Sequence, residues 1–248
     1  MKLALECRTD LLGHVQPFAD FDFCLAHKLL EDKEYLEYYK ESGNIVKFVD
    51  NSVNEKGEPE SIDKIIEAFK KVGGTYLVAP DYIGRAEETI KAYEEFKQRL
   101  IKEKIPVELL AGVVQGPTFE HAYECLRVYS TGIICVPYDL CSEKTDPPWL
   151  MGLRRALFIS HIPRDKGYLV HLLGFNSLDE FFWYQTNPMV TSIDTGVPVL
   201  LGLQGLDILD PLPSKEQPTL NEMEKHGLNQ QGWTAIIRNI GLLRKWIP

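Results

Sequence analysis

Polar side chains stand at the ends of five short apolar runs in this 248-residue chain. A single aspartate after a strand usually forms a turn or caps a helix. Several carboxylates that converge on one rim are different, because a buried carboxylate costs free energy unless it is paired, so a cluster of them indicates binding or catalysis. The side chains concerned are Asp50, Asp81, Gln115, Tyr138 with Asp139, and Asp194.

This set of residue types favours chemistry on a glycosidic bond. Two carboxylates on one rim can divide the nucleophilic and the acid–base roles through an oxocarbenium-like transition state. A further aspartate and a glutamine offer the acceptors and the donor that the edge of a guanine-like base requires. The chain contains no P-loop, HExxH or GxSxG motif that would indicate another chemistry.

Alternating strand and helix patterns predict the elements that position these side chains. The pattern predicts one (β/α)8 barrel over residues 1–248, whose active site lies at the carboxyl ends of the strands. An open doubly wound sheet is the alternative, but no GxGxxG follows an early strand. The predicted strands are 45–50, 75–81, 107–116, 132–139, 168–174, 190–195 and 197–203, with KLALEC or FDFCLAH as the first and the other as a lid or hairpin.

Helix boundaries follow from capping residues. Ser61 and Gly73 should bound one helix, Thr118 should cap another, and Ser177 with Glu180 should form a capping box. A last helix is predicted over 234–247, after a long loop at 204–232.

Bulk composition excludes several classes of protein. The formal net charge of −9 argues against a broad nonspecific coat of nucleic acid, although a local basic strip is compatible with it. Five cysteines without a CxxC pair predict free thiols in a reducing cytoplasm and no four-ligand zinc site. Glu6 interrupts the first apolar run too early for a signal peptide, and no run approaches the length of a membrane span.

Five segments, in chain order, resemble motifs of the queuine/archaeosine tRNA-guanine transglycosylase superfamily, and look closest to its compact branch that inserts 7-deazaguanines into DNA. The resemblance covers roughly residues 45–205. Segment 49–59 (VDNSVNEKGEP) is similar to the DNG…E.GEP form of the first motif. The other four segments are APD (79–81), AGVVQG (111–116), HLLG (171–174) and SIDT (192–195).

The resemblance implies a role for each matching residue. Asp194 would be the nucleophile, and Asp50 would be the general acid/base. His171 carries no role here and is interpreted as a satisfied core residue. The substrate-binding candidates are Asp81, Gln115 and Gly116 at the base edge, Leu173 against the base face, and Asn51 and Tyr138.

Four departures from the family pattern bear on the substrate. Pro117 replaces the second glycine of QGG, ICVPYDL (134–140) replaces a GGLAVG loop, and Asn54 stands near the place of an aromatic stacker. No cysteine follows Cys141, so the zinc motif CxCxxC…H is missing. The resemblance therefore implies a barrel with no metal and no cofactor, and favours DNA over tRNA.

The expected reaction is the exchange of guanine for a 7-deazaguanine such as preQ0 at C1′ of a polynucleotide, without strand cleavage. The predicted partners are the nucleic acid and the free base, with no membrane, and a homodimer is left open. A nucleoside glycosylase or ribosyltransferase is one alternative, and a noncatalytic scaffold subunit is another, disfavoured by the presence of Asp50 and Asp194. Basic residues predicted to line the polynucleotide, unless they are solvated helix faces, are Arg154, Arg155, Arg164 and Lys166.

Overall fold

Eight strands and twelve α-helices occupy the residues that the computed structural model describes, which are 1–142, 146–175, 177–209 and 218–247. The strands are β1 Lys2–Leu5, β2 Asp22–Leu25, β3 Lys47–Asp50, β4 Tyr76–Val78, β5 Leu110–Val113, β6 Ile133–Pro137, β7 Leu169–Leu173 and β8 Val190–Thr195. The helices are α1 Leu12–Val15, α2 Ala26–Glu31, α3 Lys33–Glu41, α4 Val53–Lys56, α5 Ile62–Val72, α6 Ala86–Lys102, α7 Phe119–Val128, α8 Pro148–Ser160, α9 Glu180–Tyr184, α10 Val197–Leu203, α11 Leu220–Glu224 and α12 Gln230–Trp246.

The strands form one parallel sheet in the order β1-β8-β7-β6-β5-β4-β3-β2, which curls into a nearly closed barrel with helices between the strands. Asp20 bridges the two edge strands. Its backbone N–H donates to the Leu3 carbonyl over 2.7 Å, and its carboxylate accepts from the Leu3 N–H over 2.8 Å. The predicted (β/α)8 fold is therefore confirmed, and all strand ends of one polarity share a rim.

Alternation along each strand divides the core into two layers, because successive side chains of a strand point to opposite faces. One layer fills the barrel with Phe21, Phe23 and Phe48 and with smaller residues from the other strands. The other lies between strands and helices. Side chains at the carboxyl ends of the strands that point into the barrel must therefore face its rim.

Two predictions about strands need correction. Both N-terminal runs are strands, β1 and β2, so neither is a lid or a hairpin. The run 197–203 is the helix α10, because a short, wholly apolar segment has no period that separates a buried strand from a buried helix. Pro198 stands in its first turn, and a Cβ on Gly202 would lie 2.6 Å from the Ile236 nitrogen of α12, so glycine permits this close packing.

The predicted caps hold at two helices and fail at a third. Ser61 accepts from the Lys64 N–H and Gly73 ends α5 with φ of 69°, while Thr118 caps α7. Ser177 and Glu180 do not form a capping box, since α9 begins at Glu180, whose carboxylate instead binds Arg155.

The predicted loop 204–232 contains α11 and the first turn of α12, and its residues 210–217 lie outside the described residues. Thr219 and Glu222 form a capping box at the start of α11. Within the described residues, no helix is long and apolar enough to cross a membrane.

Candidate active site

The carboxyl ends of the strands surround one cleft that is partly open to solvent. Six of the predicted site residues line it, and three further carboxylic acids join them there. The predicted ones are Asp50, Asp81, Gln115, Tyr138, Leu173 and Asp194. The further acids are Glu6, Glu55 and Asp139, of which Asp139 was expected at the same strand end as Tyr138.

Asp50 ends β3 with its side chain turned into the barrel mouth, where 8% of the residue is exposed. Ser52 adopts a left-handed conformation, with φ of 67°, and its backbone N–H donates to Asp50 Oδ2 over 2.6 Å. Burial raises the pKa of Asp50 to about 8, and the nearby charges of Asp194 and Asp81 act in the same direction, against the Ser52 hydrogen bond. This carboxyl therefore holds a proton at neutral pH and can act as an acid.

Asp81 lies at the centre of a buried hydrogen-bonded network after β4. Its Oδ1 accepts from Asn51 Nδ2 and its Oδ2 accepts from Gln115 Nε2, over 2.7 and 2.6 Å. Burial raises the pKa of Asp81 to about 6, while both hydrogen bonds lower it. Asn51 also donates to the Ala79 carbonyl, and Gln115 Oε1 accepts from the Gly84 N–H, so the network is anchored to the backbone. Asp81 is consequently an ionised acceptor near neutral pH.

Asp194 lies near the end of β8 between two titratable side chains. His171 Nε2 is 2.9 Å from Asp194 Oδ1. Glu6, directly after β1, is hydrogen-bonded to Asp194 on the cleft side. Burial raises the pKa of Glu6 well above its ordinary value, and the charge of Asp194 adds to this shift. Burial and the neighbouring charge therefore favour the protonated form of Glu6.

Gly116 and Leu173 complete the rim through their backbones. Gly116 has φ of 146°, and a Cβ there would lie 2.5 Å from His121 Cβ, so glycine is required for the turn after Gln115. The Tyr138 N–H donates to the Leu173 carbonyl over 3.0 Å, which joins the loops after β6 and β7. Gly116 therefore shapes the rim without lining the cleft.

Arg155 is fully buried, and the prediction that it lines a polynucleotide is wrong. Its Nη2 donates to Glu180 over 2.6 Å, and its Nη1 donates to the carbonyls of Leu173 and Gly174 over 3.1 and 3.0 Å and of Val136 over 3.3 Å. Sequence alone suggests a surface cation, whereas α8 turns this side chain under the rim. Arg155 thereby fixes the backbone that carries the cleft side chains of β7.

The other three predicted basic residues are not grouped at the cleft. Arg154 is partly exposed on α8 and is hydrogen-bonded to Asp146 and to the Cys141 carbonyl. Arg164 and Lys166 form a short 3-10 helix directly before β7. In a parallel barrel this is the end opposite the rim that surrounds the cleft, so these two side chains do not border the cleft.

Glu55 connects the segment 49–59 to the C-terminal part of the chain. Its Oε1 accepts from the Leu220 N–H over 2.7 Å at the start of α11. Burial raises the pKa of Glu55, and this hydrogen bond opposes the shift. Within the described residues, no three His, Cys, Asp or Glu side chains are grouped as a metal site, and the five cysteines are free thiols.

Sequence reasoning missed one residue that lines the cleft and one that lies beneath it. Glu6 follows an apolar run as the predicted aspartates do, and would have been found if KLALEC had been assigned as a strand. His171 shares the inward phase of β7 with Leu173, but its partner Asp194 is 23 positions away and no local pattern reveals it. Comparisons with protein-family models and with curated protein sequences found no match.

Proposed function

We propose that the protein is a base-exchange transglycosylase that replaces guanine in a polynucleotide, most favourably DNA, with a 7-deazaguanine. The observation that carries the proposal is the placement, in one cleft, of two carboxyls in different environments beside a hydrogen-bonded acid–amide pair. Asp50 and Asp194 are the two carboxyls, and Asp81 with Gln115 is the pair. The resemblance of five segments to the transglycosylase superfamily supports the same assignment.

Recognition of the base would use the Asp81–Gln115 pair. An ionised carboxylate has about four lone-pair sites, so Asp81 can accept from the N1–H and exocyclic N–H of guanine while it keeps its bond to Asn51. Gln115 would redirect its amide hydrogen to the O6 acceptor. Leu173 and Tyr138, which line the cleft, supply apolar area for the ring face. A pyrimidine is too small to make all of these contacts at once.

Chemistry would proceed in two steps at C1′. Asp194 forms a bond to C1′ as the bond from C1′ to the guanine nitrogen breaks, and protonated Asp50 gives its proton to the departing base. The incoming 7-deazaguanine then loses its N9 proton to the Asp50 carboxylate. Its N9 bonds to C1′, and Asp194 is released. Protons and bonds balance over the cycle, and the strand is never cut.

A nucleoside glycosylase or ribosyltransferase is a second candidate, favoured by the charges at the cleft. Six carboxylic acids line it, and of the four predicted phosphate-binding cations one is buried and two lie at the opposite end of the barrel. Carboxylates repel phosphates, so a free nucleoside would meet less opposition than a strand. The two candidates share the reaction centre and differ in the size of the substrate.

Exchange of radiolabelled guanine separates the candidates. The purified protein should incorporate label into duplex or single-stranded DNA, and a denaturing gel should reveal a covalent adduct with the strand. Asp194→Asn should abolish the adduct, and Asp50→Asn should slow both half-reactions by about 10²–10⁴-fold. Label in free nucleoside alone would favour the second candidate, and incorporation into tRNA but not DNA would overturn the choice of polymer. Full exchange by both variants would contradict the transglycosylase proposal.

A further inference from the structure

The imidazole of His171 occupies a slot inside the barrel that is lined by aromatic rings. The ring packs against Phe23 and Phe48, with centroid distances of 5.3 and 5.2 Å and interplanar angles of 22°, and these two phenyl rings are themselves 6.2 Å apart, so they form a cluster with the imidazole rather than enclosing it. Phe21 approaches its edge at 6.0 Å, and 1% of the residue is exposed. A polar ring in such surroundings costs free energy unless its nitrogens are hydrogen-bonded, whereas a phenyl ring would fill the same slot without that cost.

Both ring nitrogens have partners on β8. Nε2 is 2.9 Å from Asp194 Oδ1, and Nδ1 is 2.9 Å from Ser192 Oγ. A carboxylate that acts as a nucleophile only accepts hydrogen bonds, so the proposed function requires Nε2 to donate to Asp194. In the neutral ring Nδ1 then accepts from the Ser192 hydroxyl. The two hydrogen bonds to β8, one at each ring nitrogen, define the orientation of the imidazole.

We infer that His171 is the positioning residue of Asp194, which orients the carboxylate for attack on C1′. This inference rests on the proposed function. With Oδ1 held by the imidazole, the carboxylate cannot rotate about its Cβ–Cγ bond without losing this hydrogen bond, and the side chain is almost wholly buried. A nucleophile misplaced by about 1 Å loses on the order of 10² in rate. The imidazole contacts the carboxylate and not the cleft, so it acts through Asp194 rather than on the substrate.

Three substitutions separate positioning from packing. His171→Phe keeps an aromatic ring in the slot and removes both hydrogen bonds. His171→Gln gives up the stacking but returns an amide donor near the place of Nε2. Ser192→Ala removes only the partner of Nδ1. Circular dichroism and thermal unfolding establish that each variant is folded before its activity is measured with guanine-containing DNA.

Single-turnover adduct formation is the kinetic readout. We expect His171→Phe to lower the rate of adduct formation at saturating DNA about 10–100-fold, as loss of an orienting partner typically does, with the DNA concentration that gives half the maximal rate within about twofold of the parent. His171→Gln should restore most of this loss, and Ser192→Ala should cost less than His171→Phe. Parental rates in His171→Phe would overturn the inference. Equal losses in His171→Phe and His171→Gln that follow their unfolding temperatures would overturn it as well, since they indicate packing alone.

A spectroscopic readout is independent of the reaction. Long-range ¹H–¹⁵N spectra of the six histidines should show one ring as the Nε2–H tautomer, with a shift that changes in Asp194→Asn. An Nδ1–H tautomer for His171 would overturn the arrangement. Absence of exchange by the parent protein on every substrate would contradict the proposed function alone, and the spectra would still decide whether His171 holds Asp194.

Discussion

Gln115 donates a hydrogen bond of 2.6 Å to the carboxylate of Asp81, although the two residues follow different strands and are 34 positions apart in the chain. Asn51 holds the other oxygen of that carboxylate. The acid proposed to read the base is therefore oriented before any ligand arrives. Such preorganisation reduces the ordering that binding would otherwise require.

Removing Asn51 tests whether this network controls base binding. Burial raises the pKa of Asp81 to about 6 and the Asn51 hydrogen bond lowers it, so Asn51→Ala should move that pKa further upward. Only ionised Asp81 accepts from two base N–H groups, so the affinity for a 7-deazaguanine should fall roughly five- to tenfold near pH 6 and recover toward pH 8.5. Calorimetric titration at several pH values measures this.

Asn54→Ala is the matched control, because it removes an amide from the same cleft without a bond to Asp81. Its pH dependence should be that of the parent protein. A pH-independent loss of affinity in Asn51→Ala would contradict control through Asp81.

Arg155 should contribute far more to stability than its neighbour Arg154. Arg155→Met leaves Glu180 buried without its cation, which typically costs about 3–5 kcal/mol. Arg154→Met removes a partly exposed pair with Asp146 and should cost about 1 kcal/mol or less. Urea unfolding of both variants measures the difference, and similar free energies of unfolding would show that the buried pair stabilises little.

The sequence predicts this site well where one strand end suffices to identify a residue. Asp50, Asp81 and Asp194 each follow an apolar run, and parallel topology alone brings such positions to a common rim. The sequence predicts a residue poorly when the role of that residue depends on a contact between distant elements. In the sequence Arg155 resembles any surface arginine. Only the fold reveals its partner Glu180, which is 25 positions further along the chain and lies beneath the rim.

The prediction of a strand at 197–203 was wrong for a different reason. Its side chains are all buried, so the segment lacks the polar positions that would mark a period of 3.6 residues. Packing of Gly202 against α12 supports the helix, and that information lies more than 30 residues further along the chain.

Basic residues at the two ends of the barrel should differ in their effect on a DNA substrate. Arg85, before α6 at the rim, is half-exposed and lies 4.7 Å from the centre of the Tyr82 ring. Arg85→Ala should weaken DNA binding and reduce the slope of log affinity against log salt by about 0.9. Arg164→Ala combined with Lys166→Ala should change neither quantity, since both side chains lie at the other end. Fluorescence anisotropy between 50 and 200 mM salt measures both; a larger effect of the double variant would contradict entry at this rim.

The raised pKa of Asp50 has opposite consequences for stability and for catalysis. Folding moves this pKa from an ordinary value of 3.8 to about 8, so between these values the folded protein binds a proton that the unfolded chain has lost. The contribution of Asp50 to stability is therefore complete below about pH 4 and is lost as the pH rises through about 8. Asp50→Asn has no such proton, so its free energy of unfolding should match the parent near pH 4 and exceed it at pH 8 by on the order of 5 kcal/mol. Asp63→Asn, an exposed control, should show no such divergence.

The reaction rate should depend on the same proton of Asp50. In the proposed reaction the departure of guanine requires protonated Asp50, so the single-turnover rate of the parent protein should decline above about pH 8. Asp50→Asn should be slower by about 10²–10⁴-fold and should lose this descending limb, because its amide does not titrate. Rates and unfolding free energies are measured on the same two proteins over pH 5–9. If Asp50→Asn is more stable at pH 8 but its rate still falls above that pH, the fall in rate comes from another titrating group. Glu6 would then be the next acid to replace.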